Sequence, residues 1–107
     1  MVDLSVHPEA LAEFMEAVAF YEARASGLGQ DFFDEVHRVW RLIRENPQIA
    51  AEFEAPYRRY VCRRFPFGVV YRPTRGGVRV LAVMHQRRRP GYWKARDGAE
   101  GSKAGDG

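Results

Sequence analysis

Apolar positions recur along this chain with two periods. Leu11, Phe14, Val18 and Tyr21 are spaced by three and four, which places them on one face of a helix. His7-Pro8-Glu9 opens that helix, because proline suits a first helical position and Glu9 and Glu13 put negative charge near the positive end. Gly27 and Gly29 are expected to stop it near residue 26. Residues 30–45 repeat the pattern through Phe32, Val36, Val39 and Ile43, widened by Phe33 and Trp40. Asn46-Pro47 closes this second helix, since the residue before proline disfavours the α conformation. A connection this short predicts an antiparallel helix hairpin.

Elsewhere the period is two. VDLSV (2–6) reads as a short strand, and three more strands are predicted at 58–65, 67–73 and 77–86. The Phe65-Pro66-Phe67-Gly68 corner joins the first pair, and Thr74-Arg75-Gly76-Gly77 forms a hairpin turn between the second pair. Residues 47–57 are looser, with a helical turn expected around Ala50–Phe53. In the last strand Leu81, Val83 and His85 share one parity, while Val80, Ala82 and Met84 share the other. Both sets are apolar in the middle, so this strand is predicted to be central and covered on both sides. The order β-α-α-β-β-β implies an α+β domain, an N-terminal strand and helix hairpin packed on a mostly antiparallel sheet. Residues 1–93 are expected to form that single domain, and 94–107, small and polar, a disordered tail.

Composition narrows the class. Apolar residues make up 46% and charged residues 29%, as in soluble globular proteins. The longest apolar runs, such as VLAVM (80–84), are far too short to span a bilayer, so no membrane association is expected. MVDLSVHPEA has neither a basic n-region nor an apolar h-region, and Cys62 is the lone cysteine; both fit a cytoplasmic address. His7, His37 and His85 lack metal-ligand spacing, and Gly76-Gly77 lacks the Lys-Ser/Thr and helix of a phosphate loop. No metal and no cofactor are expected.

Charge changes the picture most. Residues 1–54 carry four basic and eleven acidic side chains, whereas 55–96 carry twelve basic and no acidic ones. A purely solubilising surface mixes signs, so this asymmetry points to a polyanionic or acidic partner. Tyr57, Tyr60, Phe65, Phe67, Tyr71, Tyr92 and Trp93 lie among the arginines. Arginine interleaved with aromatics suits single-stranded nucleic acid and suits an acidic protein surface equally. For any one arginine, a solvated side chain whose stem covers apolar surface remains the competing reading.

The element order resembles that of the RelE/ParE toxins of type II toxin–antitoxin pairs. The resemblance runs over residues 2–93 and is carried by Arg-Arg-Phe-Pro-Phe-Gly-Val-Val-Tyr (63–71), Val80-Leu81-Ala82-Val83-Met84-His85 and Arg88-x-Pro90-x-x-Trp93. It implies a small cytoplasmic toxin neutralised by a cognate antitoxin whose C-terminal segment covers the basic surface. It also implies one of two targets. ParE-like members poison DNA gyrase; RelE-like members enter the ribosome and cleave mRNA. The FPFGVVY and AVMHQRR…W pieces look closer to the ParE-like branch.

RNA cleavage of the RelE kind needs a base for the 2′-OH, cations on the phosphate and an acid for the leaving oxygen. The candidates are His85 as base or acid, Arg64, Arg72 and Arg88 on phosphate, and Tyr92 against a nucleobase. A histidine ending a central strand also serves as scaffold, so His85 carries both readings. Arg63, Arg64, Arg72, Arg79, Arg87, Arg88 and Trp93 are the candidates for binding the target or the antitoxin. A third reading is a non-toxic module that only pairs with its antitoxin.

Overall fold

The computed structural model describes residues 3–97. Strand β1 (Asp3–Val6) leads into α1 (Pro8–Arg24) and α2 (Leu28–Glu45). Strands β2 (Glu52–Glu54), β3 (Tyr57–Val61), β4 (Phe67–Thr74) and β5 (Gly77–His85) follow. All five strands form one sheet in the order β1-β5-β4-β3-β2, parallel between β1 and β5 and antiparallel elsewhere. The α+β architecture read from the sequence is therefore present, with one more strand than expected.

Local chemistry explains where the helices begin and end. The His7 ring accepts a hydrogen bond from the Glu9 amide at 3.1 Å and caps α1 at its N-terminus. Helix α1 ends at Arg24, and Gly27, at φ +87°, turns the chain into α2. The Glu22 carboxylate accepts from the amides of Gly27 and Gly29, each at 3.0 Å, so a side chain of α1 satisfies the first donors of α2. Gly29 is no breaker but lies inside α2. A Cβ there would stand 2.6 Å from the Val18 carbonyl oxygen, so glycine is what lets the helices approach.

The expected helical turn around Ala50–Phe53 is instead the edge strand β2, paired with β3 across a cis Ala55-Pro56 bond. Strand β3 is shorter than 58–65: it stops at Val61, and the corner to β4 contains Arg64 in the left-handed region at φ +67°. Buried Tyr71 ties the loop after α2 to the sheet. Its hydroxyl donates to the Pro47 carbonyl at 2.8 Å and accepts from the Ala50 amide at 3.4 Å.

The helices cover one face of the sheet over a core that includes Phe14, Phe32, Val36, Val39, Ile43, Val69 and Val83. The opposite face carries a second cluster of Val70, Leu81, Ala82, Met84 and Trp93. Simple alternation along β5 fails for a definite reason. Val70 pairs with Ala82 and Tyr71 with Val80, leaving Leu81 as the extra residue of a bulge. The bulge flips the parity, so Val78 and Val80 face the helices before it and Val83 does so after it.

Trp93 is 1% exposed and packs edge-on against Tyr57 at 4.7 Å and Phe53 at 5.8 Å between ring centroids. Lys94–Asp97 then form a helical turn, although an end of the folded domain at residue 93 was expected. The physical reason is in Arg96 and Asp97, whose side chains are bonded into the domain. Residues 98–107 of the expected tail lie outside the described residues.

Candidate functional site

Strand β1 accompanies β5 only as far as Val80. Beyond that point the β5 edge has lost its neighbour, and side chains cap it. Arg96 donates to the Leu81 carbonyl at 2.8 Å, and the Val83 amide donates to Glu13 Oε1 at 3.1 Å. Glu13 and Arg96 also grip each other through two bonds, of 3.1 and 2.9 Å. The Tyr92 hydroxyl donates to Glu13 Oε2 at 2.6 Å, and the Arg88 guanidinium lies 3.9 Å from the centroid of the Tyr92 ring. Burial and the adjacent Glu13 carboxylate push the Tyr92 hydroxyl well above its ordinary pKa, so it stays protonated and donates.

Next to this cluster, a groove of about 420 Å³ runs between α1 and β5, lined among others by Glu13, Glu16, Phe20, Val83, His85 and Arg88. The His85 ring meets Phe67 edge-on at 5.2 Å, and its Nδ1 accepts from the Arg87 amide at 3.0 Å. In the neutral ring that bond leaves the proton on Nε2.

Three of the five nuclease candidates, His85, Arg88 and Tyr92, therefore lie at one end of the domain. The other two do not join them. Arg64 sits at the corner before β4, 66% exposed, with its guanidinium 3.5 Å from Asp31 at the start of α2. Arg72 is on the second face of the sheet, doubly bonded to Asp97 at 2.9 and 3.1 Å. Tyr57 donates to the other oxygen of Asp97 at 2.7 Å, so Asp97 closes the C-terminal segment over this face.

The binding candidates divide similarly. Arg63, Arg64, Arg87 and Arg88 are exposed. The Arg63 amide donates to Glu35 at 2.6 Å, which pins the corner to α2. Arg79 is partly buried opposite Arg72 across the β4–β5 ladder. Trp93 is a candidate for meeting the target or the antitoxin and equally for anchoring the C-terminal segment; it is 1% exposed and packed in the second cluster, as the anchoring reading has it.

Sequence reasoning missed Glu13, Arg59, Arg96 and Asp97. Glu13 reads as a helix-dipole residue, and nothing local shows that it supplies the carboxylate absent from residues 55–96. Arg96 and Asp97 fall three and four positions after Trp93, the spacing of a helical turn, and that signal was available.

A model of the family described as "ParE toxin of type II toxin-antitoxin system, parDE" matches residues 4–90. The chain belongs to the ParE toxin family. A search of curated proteins returns no match. The matched span runs from β1 through the loop after β5, so Tyr92, Trp93, Arg96 and Asp97 lie just past its end. Membership gives this ParE-family chain a toxin's role in a two-protein system and an antitoxin as its partner. Among the described residues no helix is long and apolar enough to cross a membrane, and no cluster of His, Cys, Asp and Glu could hold a metal ion.

Proposed function

We propose that this ParE-family chain arrests growth in the cytoplasm by engaging DNA gyrase as a protein ligand, without cleaving nucleic acid. The cognate antitoxin neutralises it by covering the basic surface, with exposed Arg63, Arg64, Arg87 and Arg88 as contact residues for target or antitoxin. The observation that carries this reading is the dispersal of the nuclease candidates. Metal-independent cleavage needs cations and a proton acceptor converging on one phosphodiester. Here Arg72 is neutralised by Asp97, the Tyr92 hydroxyl is held by Glu13, and Arg64 stands apart beside Asp31.

One observation favours a second reading. His85 and Arg88 share a groove with Glu13 and Glu16, a set that includes a base and a cation and supports a ribosome-dependent mRNA endonuclease. Pulse-labelling after induction of the chain alone separates the two. DNA synthesis is expected to fail before protein synthesis; the reverse order favours the nuclease. Unchanged synthesis of both, with the protein soluble, identifies a non-toxic antitoxin-binding module.

A further inference from the structure

The face of the sheet away from the helices is only half covered. Trp93 and the Arg72–Asp97 pair close one half, where Val70, Leu81 and Ala82 lie. The other half is an open cleft of about 250 Å³ lined by Arg59, Val61, Gly68, Met84 and Gln86. The register explains the grouping. Val61 pairs with Gly68 and Gly68 with Met84, so the three residues stand in one row across three strands on the same face.

Arg59 is built into this cleft. A Cβ on Gly68 would lie 3.1 and 3.2 Å from Arg59 Cγ and Cδ, so the missing side chain is where the arginine stem lies against the sheet. Its guanidinium reaches to 5.5 Å from the centroid of the Phe53 ring. Among the described residues no carboxylate pairs with it. Arg58 reaches Glu52, Arg64 Asp31, Arg72 Asp97 and Lys94 Glu54, while Arg59, alone of these five cations, has only an aromatic face. Val61 next to it ends β3, is paired only with Gly68 because β2 reaches no further than Tyr57 and Arg58, and is 47% exposed, so its side chain lies open at the cleft.

We propose that this cleft grips the protein target through an acidic and aliphatic segment. A carboxylate of the segment pairs with the Arg59 guanidinium, and an adjacent aliphatic side chain rests on Val61, Gly68 and Met84. Charge complementarity selects the occupant: one held cation beside an apolar floor suits Asp or Glu next to Leu, Ile or Val. A nucleic acid strand asks for several cations along its backbone and for open aromatic faces. Trp93 is buried, the Tyr57 and Tyr92 hydroxyls are bonded to Asp97 and Glu13, and the exposed Phe53 ring beside the cleft already carries the Arg59 guanidinium. That the target is gyrase rests on the function proposed above; the chemistry of the cleft does not.

The test uses the full chain labelled with ¹⁵N and two probes, a short peptide alternating Leu and Glu and an oligouridine RNA. Peptide is expected to shift the Arg59 Nε–H signal and the amides of Val61, Gly68, Met84 and Gln86, and Arg59→Gln to abolish those shifts. Arg59→Gln and Val61→Ser are each expected to weaken growth inhibition on induction by roughly tenfold or more, as loss of an interface anchor does. Arg75→Gln in the β4–β5 turn serves as the control, and unchanged melting curves show that the variants fold. The proposal is overturned if RNA moves these signals and peptide does not, if millimolar peptide moves none of them, or if Arg59→Gln keeps full growth inhibition. Should the unmodified chain leave DNA synthesis intact, the gyrase reading fails by itself and the peptide mapping still decides the cleft.

Discussion

Glu13 and Arg96 meet in a two-pronged ion pair across 83 residues of sequence, Nη1 to Oε1 at 3.1 Å and Nη2 to Oε2 at 2.9 Å. Both side chains are largely withdrawn from solvent, at 14% and 10% exposure. The pair fastens α1 to the C-terminal segment, and the same two residues cap the part of β5 that β1 leaves open.

Removing the carboxylate should therefore cost much more than a surface ion pair. Glu13→Ala leaves the Val83 amide and the Tyr92 hydroxyl without their acceptor and takes the two-pronged partner from Arg96, which keeps Glu9 at 3.5 Å and the Leu81 carbonyl. The expected loss is about 3 kcal/mol, typical of breaking one side of a buried pair. Glu13→Gln keeps the shape and part of the hydrogen bonding, and should lose about half as much. Urea titration of the three proteins checks this; a loss below about 1 kcal/mol for the alanine variant would place the pair with ordinary surface bridges.

The C-terminal turn should matter as a unit. A chain ending at Trp93 lacks Arg96 and Asp97, which takes the two-pronged cation from Glu13, leaves Arg72 without its carboxylate and takes away the acceptor of the Tyr57 hydroxyl. Compared with a chain ending at Asp97, it should be less stable by about 3 kcal/mol or more. Equal melting temperatures for the two chains would show that residues 94–97 dock without holding anything.

Cys62 should be silent in the folded protein. Burial, and after it the Glu35 carboxylate, push its thiol up to about 12, so almost none is thiolate at pH 8. Labelling by a thiol reagent is expected to follow the unfolding curve in urea, with no reaction before the transition. Rapid labelling of native protein would mean that the corner between β3 and β4 opens locally.

Glu35 should set part of the acid limb of stability. The hydrogen bond from Arg38 and, more weakly, the amide of Arg63 hold its carboxyl below the ordinary 4.5. A folded pKa that is lowered contributes stability above the unfolded value and loses it as pH falls through the folded one. Glu35→Gln should therefore be less stable than the parent at neutral pH. The difference should shrink as pH drops below 4.5 and close once the folded carboxyl is protonated; a gap independent of pH would assign the effect to packing. Thermal melts between neutral pH and strong acid measure it.

Much of this architecture is local and therefore legible in the chain. Periodicity places both helices, because their apolar stripes answer to a single geometry, and the glycine turn and proline corner mark where β4 begins and β5 follows it. Family membership is legible for the same reason: the run from Arg63 to His85 is continuous in sequence. Positions set by partners distant in the chain are not. Strand β2 forms because β3 offers it an edge, and its three residues carry no strand signal of their own. The inserted Leu81 changes which residues of β5 face the helices, and alternation alone does not announce a bulge.

The same division runs through the surface. Sequence determines that residues 55–96 hold twelve cations and no carboxylate. Only the tertiary structure decides which of those cations remain available, since the compensating groups come from elsewhere in the chain. Glu13 arrives from α1, Asp31 from α2, and Asp97 from past the end of the basic run. Arg59 has no such partner among the described residues: its stem lies in the space that Gly68 leaves open, and its guanidinium meets Phe53. Charge composition is additive along a chain, whereas pairing depends on distances that folding alone creates.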